Sequence, residues 1–424
     1  MKRLLLAALL TGALAATASA DNWPQWRGPK NDGTSAEKGL PAEWGADKNV
    51  VWKLKMPGMG ASTPAVWGAN IFVTTVDGDN VALLCAGTDG KQKWTQKVSG
   101  TGKTRYKNPS GADASDASAS CSTDGKHVWA FAGNGDLACF TVDGKEVWRD
   151  DLQKYGKFRI QFGIHWTPVL YKDKLFLQVM HRGAQLVVAL DAATGKEVWK
   201  KERPGYSKGE SPDVYASAFI WEGEGGPLLV AHGNDYCTGH ALTDGTEVWR
   251  VTGLNPNTSG AWRFVSNPLV SPDLIVVPSC KDGPTVGFNP VGAKGDVKPE
   301  NKAELWRVAS SANFRTPDVV APVRVGDVVY VTGAGPFWAL EAKTGKVLYK
   351  ENLSKGAHWA NMVAGDGKVY ITAQDGATDV VQAGKEFKKL ATNSLPDKVF
   401  AGPAIADGRI YIRGYDYLWA IGSK

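Results

Sequence analysis

The chain of 424 residues carries 49 glycines, 17 tryptophans, 43% apolar residues and a formal net charge of +6. That length allows two or three average domains or one large repeat array, and many glycines beside many tryptophans imply tight turns and bulky packing residues, a β-rich composition. The weak positive balance is spread out and argues against nucleic acid as a partner, while Cys85, Cys121, Cys139, Cys237 and Cys280 form no C-x-x-C pair and argue against a cysteine-built metal site or haem attachment.

At the start of the chain, Lys2 and Arg3 precede an apolar run from Leu4 to Ala16, followed by Ala18-Ser19-Ala20. The pattern predicts a signal peptide over residues 1–20 and a periplasmic or secreted protein, because the run is too short for a membrane span. Asp21 rather than a cysteine follows the site, so no lipid anchor is expected. In an oxidising compartment one or two disulfides are open to the five cysteines; otherwise they read as small buried hydrophobes in strands. Residues 21–48 read as an N-terminal extension. Its DNWPQWRGP stretch offers Trp23, Trp26 and Arg27 to cap one face of the domain that follows.

From residue 49 onward the sequence repeats. TDGKQKW ends at Trp94, VDGKEVW at Trp148, ATGKEVW at Trp199 and TDGTEVW at Trp249. AELWRV places Trp306, KTGKVLY substitutes Tyr349 and AGKEFKKL substitutes Phe387. Upstream of these aromatics stand hairpin patterns such as TPVLYKDKLFLQV, beginning near Thr63, Ser120, Thr167, Ser217, Asn267, Ala321, Ala360 and Gly402. Each unit therefore reads as four antiparallel strands in roughly fifty residues, which is one propeller blade. The prediction for residues 49–424 is all-β, a single eight-bladed β-propeller. The last hairpin has no fourth strand, and Trp52 in NVVWKLKM precedes the first hairpin. That N-terminal strand is predicted to complete the last blade and pair its edge. The recurrent aromatic is read as packing between blades.

Ala189, Asp191, Thr194, Gly195 and Trp199 fit the pattern A-x-D-x-x-T-G-x-x-x-W, and the chain thereby resembles the quinoprotein-like eight-bladed propellers. Asp143, Gly144 and Trp148 match in part, as do Asp244, Gly245 and Trp249, and Thr344, Gly345 and Tyr349. The stretches DNWPQWRGPKNDGTS, LPAEW and NVVWKLKMPG are similar to secreted PQQ-binding-like β-propeller repeat proteins. The resemblance implies two alternatives: pyrroloquinoline quinone (PQQ) dehydrogenases, with PQQ and calcium on the axis, and non-catalytic BamB-like propellers. The chain has neither the adjacent cysteines nor the long insertions of the dehydrogenases. Asp21 stands where the barrel-assembly lipoprotein carries its lipidated cysteine. No cofactor is expected, and PQQ with calcium is the alternative.

In a propeller the inner strands line a channel, and the loops leading into them form one mouth. FRIQFGIHWTP leads into the third hairpin and GAHWANM into the seventh, so His165-Trp166 and His358-Trp359 are predicted to face each other across the axis. Asp213, Tyr215, Arg263, Phe264, Arg315 and Asp318 are the other candidate ligand-binding residues, with Arg105, Tyr106, Arg159, Trp262 and Phe400 in the same set of loops. Aromatic rings suit sugars or planar groups, and arginines suit carboxylates or phosphates; the same residues would equally serve to plug the channel. The polar loop over residues 100–117 is long enough to overhang this mouth. Histidines on opposite walls are too far apart to share a metal. Asp318 near Arg315, or Asp213 near a histidine, is a candidate general base. The functional expectation is a monomeric binding or scaffold propeller for a protein or glycan. The alternative is a PQQ-type or carbohydrate-active enzyme working through the funnel.

Overall fold

Short β-branched runs, each ended by a Gly/Asp turn, give up their backbone hydrogen bonds only to neighbouring strands, and the chain folds as such hairpins throughout. The computed structural model describes residues 22–423 apart from 101–105, 108–112, 159, 334–335 and 355. The expected signal peptide, Arg105, Arg159 and much of the 100–117 loop lie outside the described residues. Two 3-10 turns, Leu152–Tyr155 and Pro299–Asn301, are the helical elements among the described residues. No helix there is long and apolar enough to cross a membrane.

Eight antiparallel sheets follow one another around a ring. The third blade shows the pattern: Val169–Tyr171 innermost, then Lys174–His181, Ala184–Asp191 and, outermost, Glu197–Glu202. The inner strands of blades 1 to 8 begin at Ala65, Ser122, Val169, Phe219, Leu269, Val323, Val363 and Ala404. Val50–Lys55 is the outer strand of blade 8, antiparallel to Tyr417–Ile421, so the first and last parts of the ring close on each other.

The seams between blades hold the apolar core, and the recurrent tryptophan locks each seam. Trp148 donates its indole N–H to the Ala192 carbonyl of the next blade at 3.0 Å. Gly195 beside it has φ +72°, and a Cβ there would stand 2.7 Å from the Trp148 ring. Only glycine satisfies both demands. The device repeats from Trp52 to Thr88, Trp94 to Val142, Trp199 to Leu242 and Trp306 to Ala342, at 2.8–3.0 Å. At the fifth blade the short turn gives way to an excursion. Its strand Gly295–Val297 runs parallel along the Trp249 strand, and the Trp249 indole N–H has no acceptor among the described residues.

The closing aromatic of blade 7 differs from expectation. Phe387 precedes the outer strand Lys389–Ser394, and the position matching Trp199 is Ala391, which pairs with Val380. Phe387 instead meets Tyr349 edge-on at 5.7 Å, in the seam between blades 6 and 7. The blade 7/8 seam is filled by Trp44 of the N-terminal segment, 5% exposed and 6.1 Å from Tyr370. Its backbone N–H donates to Asn393 at 2.8 Å.

Residues 22–35 cross under the ring. Trp23 bridges to Val66 of blade 1, the Thr123 N–H donates to Pro24, the Leu170 N–H to the Gln25 side chain, and Trp26 lies 5.5 Å from Phe219 of blade 4. Arg27 then donates to the Pro322 carbonyl of blade 6 at 2.7 Å and the Met362 carbonyl of blade 7 at 3.3 Å. Thr34–Ser35 adds a parallel strand to blade 7. The lower end of the channel is thus spanned by the chain itself.

Candidate functional site

Two residues before the inner strand, a polar side chain ties neighbouring blades at five seams. The Thr63 N–H donates to Ser120 Oγ at 2.9 Å, Ser120 to Thr167 at 3.1 Å, Thr167 to Ser217 at 2.9 Å, Ser217 to Asn267 at 2.7 Å, and Ala321 to Asn361 at 2.8 Å. This girdle fixes the backbone two residues further up, at the upper mouth. There stand Ala61, Ser118, His165, Tyr215, Val265, Val319, Trp359 and Phe400. All are half-exposed except Tyr215, which is 7% exposed.

The ladder register corrects the expected alignment of the two His-Trp pairs. Val169 pairs with Phe176 as Val363 pairs with Tyr370, so His165 is equivalent to Trp359, and Ile164 to His358. The seventh unit begins one residue later than its sequence suggests, at Asn361 rather than Ala360. His165 and Trp359 therefore share the mouth. His358 points away from it, 4% exposed, and Trp166 stacks on Phe131 at 4.7 Å in the core of the blade 2/3 seam.

Blades 3 to 5 gather most of the remaining candidates. His165 donates Nε2–H to the Phe162 carbonyl at 2.6 Å and stacks on Tyr215 at 6.2 Å. Burial lowers its pKa from the ordinary value, and the Phe162 carbonyl acts in the other direction. The Tyr215 hydroxyl accepts from the Phe162 N–H at 3.4 Å, and burial pushes its pKa up. Arg263 lies over the Phe162 ring at 4.7 Å and binds Glu210 at 2.8 Å. Phe264 is buried and meets His232 edge-on at 5.2 Å. Asp213 is buried and paired with Arg182 at 2.9 Å; burial raises its pKa, and Arg182 partly offsets this. Asp318 is raised by burial too, against Arg263 and Lys281. Arg315 is exposed and has no hydrogen-bond or ion-pair partner among the described residues. Phe400 stacks on Tyr415 at 4.9 Å, and Trp262 is half-buried.

Neither carboxylate is within an ion pair or hydrogen bond of a histidine, so the candidate general bases have no acid–base partner among the described residues. Arg182 and Lys281 lie in turns between second and third strands, a set of loops that sequence reasoning did not search, and Phe162 and Glu210 carried no repeat signal. A calcium ion requires six to eight oxygen ligands. The described residues hold no group of three His, Cys, Asp or Glu side chains able to bind a metal, and the two mouth carboxylates face basic residues. All five cysteines are buried free thiols. Among the described residues the mouth carboxylates Asp213 and Asp318 are thus not gathered into a carboxylate cluster.

Comparison with known proteins gives a family and a fold. The family model described as "Outer membrane protein assembly factor BamB" matches residues 133–294 and 293–386. Polyvinylalcohol dehydrogenase of Sphingopyxis sp. (strain 113P3) is 27% identical over 237 residues, 50% of this chain and 33% of that enzyme. The chain thus covers only about a third of the length of that relative. Among solved structures, BamB from Moraxella catarrhalis has a TM-score of 0.59 at 13% identity, covering 88% of this chain and 97% of its own. A europium-containing methanol dehydrogenase reaches 0.67 at 12% identity, with 94% and 90% covered. Quinohemoprotein alcohol dehydrogenase from Comamonas testosteroni reaches 0.66 at 13%, with 95% and 81% covered. These structural likenesses describe the ring of blades and carry no activity.

Proposed function

Since the chain belongs to the family described as outer membrane protein assembly factor BamB, we propose that it is a periplasmic or secreted binding propeller that holds a partner protein at its upper mouth. One observation carries this reading. The mouth is lined mostly by half-exposed aromatic and aliphatic side chains, with Asp213 and Glu210 each paired to an arginine and Arg315 exposed, above a channel spanned from below by residues 22–35. Such a surface buries apolar area against a partner without needing a reacting group. The family name adds support, because it describes an assembly factor.

A photo-crosslinking residue in place of Val319, at the mouth, tests the reading against one in place of Val198, which is 46% exposed on the outer strand of blade 3. Capture of a defined partner from the mouth position alone is the expected result. Capture from the outer position alone rejects it.

A redox reading is favoured by one finding, the 27% identity to a polyvinylalcohol dehydrogenase. Incubation of the purified chain with PQQ and Ca²⁺ addresses it. A quinone absorbance band together with dye reduction on poly(vinyl alcohol) would replace the binding reading.

A further inference from the structure

The eight equivalent mouth positions are not filled evenly. Blades 3 and 4 present His165 and Tyr215; blades 7 and 8 present Trp359 and Phe400. In a ring of eight, blade 3 stands opposite blade 7 and blade 4 opposite blade 8. Two aromatic walls therefore face each other across the axis. Between them, blades 1 and 2 contribute only Ala61 and Ser118, and blades 5 and 6 only Val265 and Val319. At these eight positions the mouth is a slot, walled by rings on two sides and carrying small or aliphatic side chains between them.

Charge is distributed along the same slot. At the blade 5/6 end, Arg263 lies two residues before Val265 and Arg315 four residues before Val319. Arg315 is exposed without a partner among the described residues, and Arg182 is 46% exposed where its partner Asp213 is 1% exposed. Asp213 is the buried member of its pair, and Glu210 at 29% exposed offsets Arg263, so the outward positive charge along the slot is that of Arg182 and Arg315.

Resting on the binding reading above, we propose that the occupant is an extended peptide segment with an aromatic residue flanked by acidic ones. The facing rings sandwich the aromatic side chain, because offset and edge-on ring pairs are favourable. The small and aliphatic positions between the walls leave room for an extended backbone, which a closed small-molecule pocket would not require. Outward guanidinium groups pair with carboxylates.

The test uses the full chain and fluorescein-labelled decapeptides in a Gly/Ser background. One carries Trp between pairs of Asp and Glu; a second replaces the Trp by Ala, and a third replaces the acids by Lys. Anisotropy is expected to show the first binding at least tenfold tighter than either counterpart. Trp359→Ala and Arg315→Glu should each weaken it about tenfold with unchanged melting. The Arg315 variant keeps its fold in any event, since that side chain has no partner to lose. Equal binding of the Ala or Lys peptide, or no loss in Arg315→Glu, overturns the inference. So does saturation by a neutral oligosaccharide with no peptide bound. If no peptide binds while a crosslinker at Val319 still captures a partner protein, this inference falls and the binding reading stands. If neither occurs, both fall.

Discussion

Burial sets the charge of the histidines in this protein. His181, His232 and His240 are all at most 2% exposed, and loss of solvation pulls them down to about 4, 3 and 4. The folded values lie below the ordinary value of 6.5, so the unfolded chain takes up protons first as pH falls. Stability is therefore complete above about pH 6.5 and declines toward pH 4. At pH 5 each of the three histidines costs about 2 kcal/mol relative to neutral pH. Asp213 and Asp318 act in the opposite sense, because their raised values favour the folded state at low pH and that contribution is lost as pH rises through them. The three histidines should lower the melting temperature between pH 7 and pH 5, with the two aspartates opposing the drop. His232→Leu should flatten the drop and leave the variant more stable than the parent at pH 5. Parallel melting-temperature profiles for variant and parent would contradict this assignment.

At the scale of elements, the repeated outer strand was legible because its chemistry is local. An Asp/Gly turn three or four residues before a tryptophan specifies both the turn and the ring that docks on the neighbouring turn. Gly195 and Trp148 show the two halves of that lock. The inner strands carry a weaker signal, only three residues long in most blades, and a slip of one residue passes unnoticed there. That slip misaligned His358 with His165, since side-chain direction alternates along a strand. Trp44 was illegible as a seam residue, and Arg27, expected only as a capping residue, gave no sign of which blades it ties, because their partners Tyr370, Pro322 and Met362 lie roughly 300 residues away. Burial brings Arg27 down to about 10, still charged at neutral pH. Arg27→Met would leave three carbonyls, those of Asp32, Pro322 and Met362, without their donor. At about 1.5 kcal/mol for each charged hydrogen bond lost, it should cost roughly 4 kcal/mol. Trp44→Ala opens the blade 7/8 seam and should cost a similar amount, about 3–5 kcal/mol. Urea denaturation of each variant measures both, and a loss below 1 kcal/mol in either would mean that the segment merely rests on the ring.

The whole molecule has no central core; its apolar clusters are the seams themselves. One cluster joins blades 1 and 2, others join each following pair, and the largest unites blades 7, 8 and 1 through Trp23, Leu40 and Trp44. A ring built this way is as strong as its closure, because opening one seam exposes two sheet faces and a strand edge. Closure rests on Val50–Lys55, where Trp52 pairs with Ala420 and docks on Thr88 of blade 1. Replacing residues 50–55 by a Gly/Ser linker removes a six-residue ladder and one docked indole while keeping the N-terminal segment attached. The loss should be on the order of 5 kcal/mol, from the packing of a half-buried tryptophan and the unpaired edge. For a chain of this size that lowers the melting temperature by about 6 °C or more. Calorimetry should still show one transition, since no blade other than the eighth loses a strand, and every seam depends on both its neighbours. Unchanged melting would mean that blade 8 is held by the Trp23 and Trp44 contacts instead. Two separate transitions would mean that the seams unfold independently and that the ring does not act as one cooperative unit.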